Sequence, residues 1–259
     1  MTKIIISGPR GRMGQAILKL AGTDATVDVI GAVDSGGGAG AAIPFRNGSI
    51  ANSADLHAVQ SSAGCVLVEF TTPEATLEHV SQAAGLGVNC IVGTTGFTLD
   101  QRSELQRYSE HIALIIAPNT SLGVNVLLGI VEQVAAALAG YDIELTEMHH
   151  RLKKDAPSGT AVALAEAAAK GRRLSLSDVA KHGRSGLTGE RPVDEIGIHS
   201  LRGGDVVGEH TMTFAGPGER VEITHCAHSR DTFAAGALVA AKWLAGKQPG
   251  LYTMRDVLL

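Results

Sequence analysis

The chain has 259 residues, 44% apolar and 19% charged. That fits one large or two modest globular domains whose core needs no disulfide or structural metal, and it excludes disorder as the main state. A net charge of −4 and an aromatic content of 3% argue against a general nucleic-acid binder, which would carry a basic stripe and stacking rings.

Cys65, Cys90 and Cys226 are widely spaced, with no CxxC or zinc pattern. They read as reduced, buried thiols of a cytoplasmic protein. The amino terminus runs as a strand into Gly8, unlike the apolar segment of a signal peptide. The uncharged stretch Ile112–Val131 is interrupted by Pro118-Asn119-Thr120-Ser121, a polar break that a bilayer core penalises. It reads as strand, loop, helix.

In chain order, Lys3–Ser7 is a β-branched run ending in glycine, hence a strand, and Met13–Leu20 has helical spacing. Val27–Val33 and Val66–Phe70 are the next strands. Thr72-Pro73-Glu74 is a helix start with Pro near the first helical position, leading into a helix over Ala75–Leu86. Cys90–Val92 is a strand, Leu99–Glu110 a helix and Ala113–Ala117 a strand. This alternation predicts an α/β fold: a Rossmann-type parallel sheet with helices on both faces and a ligand site beyond the strands' carboxyl ends. The second half reads differently: a helix over Val124–Leu138, a strand over Ile143–Met148, an Ala-rich helix over Gly159–Lys170 and a polar stretch over Ser175–Arg191. Three strands follow, Ile196–Leu201, Val206–Phe214 and Val221–Cys226, the last two joined by a turn at Gly216-Pro217-Gly218. Thr232–Ala245 is the closing helix. Consecutive strands predict a second α+β domain with an open mixed sheet, mostly antiparallel.

Gly8-Pro9-Arg10-Gly11-Arg12-Met13-Gly14 follows the first strand and opens the first helix. Small residues there let the backbone approach a pyrophosphate, and the helix end supplies N–H groups and a positive dipole. The spacing is G-x-x-G-x-x-G rather than GxGxxG, with Arg10 where the second glycine would stand, and a plain tight turn accounts for it too. Asp34, 20 residues after Gly14, stands where an acid would bind the adenine ribose hydroxyls; a surface acid at a strand end is the alternative. Gly93-Thr94-Thr95-Gly96 and Ala117-Pro118-Asn119-Thr120 follow later strands, as nicotinamide-side loops or as ordinary turns.

Glu147 to Ala161 is the densest functional stretch. His149, His150, Arg151, Lys153 and Lys154 follow a strand, and a helix begins at Ser158-Gly159-Thr160. An imidazole can donate a proton near neutral pH, the cations can neutralise an anionic substrate, and helix-start amides can hold a carboxylate. Zinc competes for His149-His150, but adjacent residues rarely chelate one metal and no third ligand has suitable spacing; a solvated basic loop is the other alternative. His57, His79, His111 and His182 read as surface residues. His199, His210, His225 and His228 lie on or beside strands and could line a cleft, with packing the simpler account of each.

These segments, with Glu69-Phe70-Thr71 and His228-Ser229-Arg230-Asp231-Thr232-Phe233-Ala234, occur in an order that resembles the 4-hydroxy-tetrahydrodipicolinate (dihydrodipicolinate) reductase family of lysine biosynthesis. The resemblance covers nearly the whole chain, and the His-His to Ser-Gly-Thr stretch is its most specific part. It implies a dinucleotide-binding domain over 1–120 completed by 230–259 and the last helix. It implies a substrate-binding and oligomerisation domain over 121–229, in a homotetramer. It also implies reduction, by NADH or NADPH, of the cyclic imine formed when the 4-hydroxy substrate loses water.

By resemblance, His149 is the acid/base and Lys153 the assisting donor, and His150, Ser158, Gly159 and Thr160 hold a substrate carboxylate. Gly8, Pro9, Arg10, Gly11, Arg12, Met13, Asp34, Gly93, Thr94, Thr95, Ala117, Pro118, Asn119 and Thr120 hold the cofactor, and no metal is implied. Two residues depart from the family's pattern. Ser35 follows Asp34 where many members carry a base for the 2′-phosphate, so NADH is expected to be modestly preferred. Glu69 stands where aspartate is commoner.

Two other classes fit parts of the pattern. One is a different small-substrate dehydrogenase, such as an aspartate or semialdehyde dehydrogenase, although no cysteine is well placed as a nucleophile. The other is a nucleotide-sensing regulator, which would not need the His149–Lys153 cluster.

Overall fold

The computed structural model describes residues 1–34, 40–60 and 64–259. The glycine-dense stretch Ser35–Gly40 falls, but for Gly40, outside the described residues. The chain divides into two units, Met1–Leu122 with Arg230–Leu259, and Gly123–Ser229.

The first unit opens with β1 (Thr2–Ser7), α1 (Arg12–Thr23) and β2 (Val27–Val33). A small hairpin, β3 (Ile43–Phe45) and β4 (Gly48–Ile50), precedes β5 (Asn52–Ser53). Then come β6 (Val66–Glu69), α2 (Pro73–Leu86), β7 (Asn89–Val92), α3 (Leu99–Arg107) and β8 (Ala113–Ile116). Capping is legible in the residues: Thr72 caps α2 on the Ala75 amide, with Pro73 at its start, and Thr98 and Gln101 form a capping box on α3.

The second unit takes most of α4 (Leu122–Ala137), then β9 (Asp142–His149), α5 (Gly159–Gly171), α6 (Leu176–Val179) and β10 (Ala180–His182). It ends with β11 (Ile196–Arg202), β12 (Gly208–Gly216) and β13 (Glu219–Ala227). The chain then returns to the first unit with α7 (Asp231–Leu244), β14 (Gly250–Tyr252) and α8 (Met254–Leu258).

The first sheet has seven strands, ordered β14-β8-β7-β6-β1-β2-β5, and every pairing is parallel. Alternation along β1 sends Ile4 and Ile6 to a core with Ile17, Ala237 and Leu244, and Ile5 to a core with Val80 and Leu105. Helices thus cover both faces. The chain leaves β1 toward β2 and later returns to its other side at β6, so the crevice between the carboxyl ends of β1 and β6 is the topological switch point.

The second sheet is ordered β10-β11-β9-β12-β13. Its pairing is evenly mixed rather than mostly antiparallel: β10-β11 and β11-β9 are parallel, β9-β12 and β12-β13 antiparallel. The reason is local, since α5 lies between β9 and β11 and carries the chain back to start a parallel strand. Two surface expectations also change. Cys226 is exposed because it points outward from the edge strand β13. His79 is buried on α2, 2% exposed. Among the described residues no helix is long and apolar enough to cross a membrane.

Candidate active site

In β9 the inward positions are Ile143, Leu145, Glu147 and His149, one face of a strand of period two. His149 is the strand's last residue, not the first of the loop after it. Its Nδ1 lies 2.6 Å from Glu147 Oε2, and both side chains are buried. The parallel register sets Arg202, the last residue of β11, opposite His149. Arg202 donates both ends of its guanidinium to the Glu147 carboxylate, at 2.8 and 2.9 Å. The Ser158 amide donates to the same carboxylate at 3.2 Å. A planar fork plus a backbone N–H is a strong way to hold a buried carboxylate.

Burial alone would raise the Glu147 carboxyl, but Arg202 and His149 bring it down to about 2. It is therefore an anion that accepts a hydrogen bond from the Nδ1–H of His149, and Nε2 is the nitrogen left for proton transfer. Burial lowers His149 from the ordinary histidine range, against the pull of Glu147. A Cβ at Gly208 would lie 3.0 Å from that Nε2, so any larger residue there would press on the working nitrogen.

His210, opposite Glu147 on β12, stands edge-on to His149 with ring centroids 5.1 Å apart. Its Nε2 lies 2.9 Å from Ser158 Oγ. Burial and then the neighbouring His149 push it down to about 3, so it is a neutral packing and hydrogen-bonding partner. Ser158 caps α5 through the Ala161 amide at 3.1 Å, worth about 1 kcal/mol to the helix. The hydroxyl and amide of Ser158 are thus both engaged, and Gly159 and Thr160 present the first amides of α5. Lys153 Nζ contacts both oxygens of Asp155 at 2.9 Å, and the Asp155 carbonyl accepts from Arg202 at 2.7 Å. His150 is tied through its backbone N–H to Val206 O at 2.7 Å.

In the first unit the expected cofactor residues gather at the carboxyl edge of the parallel sheet. Gly8 adopts φ +61 and donates to Val33 O. Gly11 stands just before α1 in extended backbone. A Cβ at Gly14 would come within 2.2 Å of Gly8 O, so only glycine lets α1 start this close to the loop. Pro9, Arg12 and Met13 complete the turn at the α1 end. This cradle suits a pyrophosphate. Arg10 lies 3.3 Å from Asp34 Oδ2 and 3.3 Å from Ala41 O, which brings the substituted loop position onto the expected ribose acid.

Gly93, Thr95, Ala117, Pro118 and Asn119 follow β7 and β8 at the same edge. Thr94 and Thr120 are buried there; the Thr94 hydroxyl accepts from the Thr71 amide, and Thr120 donates to Phe233 O at 2.7 Å. Among the described residues no group of three His, Cys, Asp or Glu side chains is arranged to hold a metal.

Sequence reasoning missed Glu147, Arg202 and Gly208 as site residues. Strand alternation from Ile143 would have put Glu147 on the face of His149. Arg202 had no local signal, because a register between distant strands brings it there.

A doubly wound parallel sheet with a glycine turn at its switch point, and a separate acid–base pocket beside a helix start, are the parts of a dinucleotide-dependent oxidoreductase. The comparisons make the class specific. Residues 2–120 match the family model for the dihydrodipicolinate reductase N-terminus, and 123–258 that for its C-terminus. The chain belongs to the dihydrodipicolinate reductase family.

A 4-hydroxy-tetrahydrodipicolinate reductase of Nitratidesulfovibrio vulgaris is 47% identical over 265 residues, covering 99% of each chain. One of Rubrobacter xylanophilus is 47% identical over 262, covering 100% of this chain and 98% of its own. Among solved structures, a dipicolinate-bound dihydrodipicolinate reductase from Paenisporosarcina sp. TG-14 matches with TM-score 0.78 and 26% identity, covering 100% of both chains. A probable dehydrogenase from Thermotoga maritima, TM-score 0.62 at 10% identity over 98% of this chain and 92% of its own, shares the fold.

Proposed function

We propose that this NAD(P)H-dependent reductase of lysine and diaminopimelate biosynthesis uses His149 as its acid and the start of α5 as its carboxylate site. The substrate is the cyclic conjugated imine left when 4-hydroxy-tetrahydrodipicolinate loses water, and the product is tetrahydrodipicolinate. Bound NAD(P)H supplies the hydride.

Addition at one carbon of the conjugated system leaves an enamine, and a proton on the neighbouring carbon completes the reduction. His149 serves that step as the imidazolium: it gives the proton on Nε2 and returns to the neutral ring whose Nδ1–H is held by Glu147, with Lys153 assisting once substrate draws it from Asp155. His150, with the Gly159 and Thr160 amides, holds a carboxylate at the positive end of α5. Ser158, occupied by Glu147 and His210, shapes this site from behind. The observation that carries the reading is the Arg202–Glu147–His149 chain beside a helix start. The test is NAD(P)H oxidation with aldolase-generated substrate. Pyridine-2,6-dicarboxylate is expected to inhibit competitively with substrate; absence of turnover, or inhibition that added substrate does not relieve, would reject the reading.

The cofactor loops carry a second proposal, a modest preference for NADH. Asp34 accepts from both ribose hydroxyls, whereas a 2′-phosphate replaces one of them and brings charge toward the carboxylate. Arg10, already against Asp34, offsets part of that repulsion and keeps NADPH usable. The expected preference is about 5–30-fold in kcat/KM, roughly 1–2 kcal/mol. Asp34→Ala should narrow it and Arg10→Ala widen it. An NADPH preference in the unmodified enzyme would assign the choice to Arg10.

Assembly as a homotetramer is proposed on the second sheet. Its edge strands β10 and β13 are unpaired on their outer sides among the described residues, and sheet edges are normally covered. Light scattering should give a four-chain mass at micromolar concentration; a monomer would reject it. A cytoplasmic location accords with three cysteines that form no disulfide.

A further inference from the structure

Beneath the switch point lies a buried polar cluster that the chemistry above does not use. Glu69, the last residue of β6, and His79 on α2 are 0% and 2% exposed. Glu69 Oε2 lies 2.8 Å from His79 Nδ1. The other carboxylate oxygen accepts from the Thr71 hydroxyl and from the Thr76 hydroxyl, the latter at 3.3 Å. His79 Nδ1 also lies 3.0 Å from Ser7 Oγ, and Ser7 is the residue before Gly8. Thr76 Oγ1 also lies 2.8 Å from Thr94 Oγ1, and Thr94 Oγ1 accepts from the Thr71 amide at 3.0 Å. The Glu69 carbonyl accepts from the Gly93 amide at 2.8 Å. Three loops that leave three different strands therefore meet at one carboxylate–imidazole pair.

We propose that Glu69 is a positioning residue for the dinucleotide, fixing the Ser7-Gly8, Phe70-Thr71 and Gly93-Thr94 turns relative to one another at the mouth of the parallel sheet. The inference rests on the reading of that edge as the dinucleotide site. Stability alone gives little reason for the pair, because apolar side chains of equal volume would hold the core at least as well. What a carboxylate adds is direction, with acceptor sites aimed at separate loops. The reach of glutamate matters too. Its extra methylene carries the carboxylate past the strand end to α2, where His79 and Thr76 lie one turn apart on the same helix face. Phe70 packs directly over Gly93, where a Cβ would sit 2.0 Å from the ring. A shift of either turn therefore moves both.

The test measures NADH affinity by fluorescence without substrate, together with Tm, in the full chain. Glu69→Gln keeps the size and loses the charge; it should weaken NADH about 10-fold, the scale of one charge-assisted hydrogen bond. Glu69→Asp, the conservative variant, should recover part of that loss. Thr76→Val removes only the hydroxyl that joins Glu69 to Thr94; it should weaken NADH about 3-fold, as one neutral hydrogen bond would, and it keeps the test open if Glu69→Gln fails to fold. Unchanged NADH affinity in a folded Glu69→Gln or Thr76→Val, with only Tm lowered, overturns the proposal. A wild-type chain that binds no NADH overturns instead the dinucleotide reading on which the proposal rests.

Discussion

His149→Gln is expected to lower kcat by about 100-fold or more, the usual scale for loss of a general acid, with NAD(P)H affinity unchanged. Glutamine matches the imidazole in size and can still donate to Glu147, so the buried carboxylate keeps a partner and the fold should survive. What is lost is a titratable ring whose second nitrogen is already oriented by Glu147. His210 cannot substitute, because burial holds it neutral down to about pH 3. Lys153 can, in part, so Lys153→Met in the His149→Gln background should remove most of the residual rate. Steady-state kinetics with saturating cofactor measure this directly, and a variant that keeps near wild-type kcat removes His149 from the proton transfer.

Much of this architecture was legible beforehand because its signals are local. β-branched runs ending in glycine, Pro73 behind Thr72, and the Ser158-Gly159 start of α5 each state their structure within a few residues. What the sequence concealed depends on distant partners. The parallel pairing of β11 with β9 could not be read from strand spacing, and with it went Arg202. His79 reads as a surface residue because nothing near it in the sequence announces Glu69, whose buried carboxylate makes an interior imidazole tolerable. Set beside the shorter aspartate alone, Glu69 carries no local signal. Its added reach becomes meaningful once α2 is seen to bring Thr76 and His79 within hydrogen-bonding distance. The short strands β5, β10 and β14, of 2 or 3 residues each, carry too little pattern to announce themselves.

Glu147→Gln and Arg202→Met should move the pH dependence of the reaction in opposite directions. The charged and titratable groups around His149 are Glu147, Arg202, Lys153 and His210. Burial lowers His149, Glu147 opposes this by hydrogen bond and charge, and Lys153 and Arg202 add to the lowering. An acid works in its protonated form, so the rate falls as pH rises through the His149 titration. Removing the Glu147 charge lets His149 drop further, and the falling limb of kcat shifts to lower pH. Removing the Arg202 charge takes away an opposing cation, and the limb shifts to higher pH.

Near pH 7 Glu147→Gln should also cost about 10–100-fold in kcat, at most the lower limit of general-acid effects, because the ring loses its anionic anchor but is itself retained. Arg202→Met carries a separate penalty in stability. It strands a buried carboxylate without its fork, at a cost of about 3–5 kcal/mol, visible as a lower Tm. The sign of the acid dependence follows as well. Glu147 titrates at about 2 in the folded chain, against an ordinary 4.5, so its contribution is present above 4.5 and is lost as pH falls toward 2. Glu147→Gln should therefore flatten the loss of stability across that window. A falling kcat limb that stays in place in both variants would show that the Arg202–Glu147 pair holds the sheet together without tuning the acid.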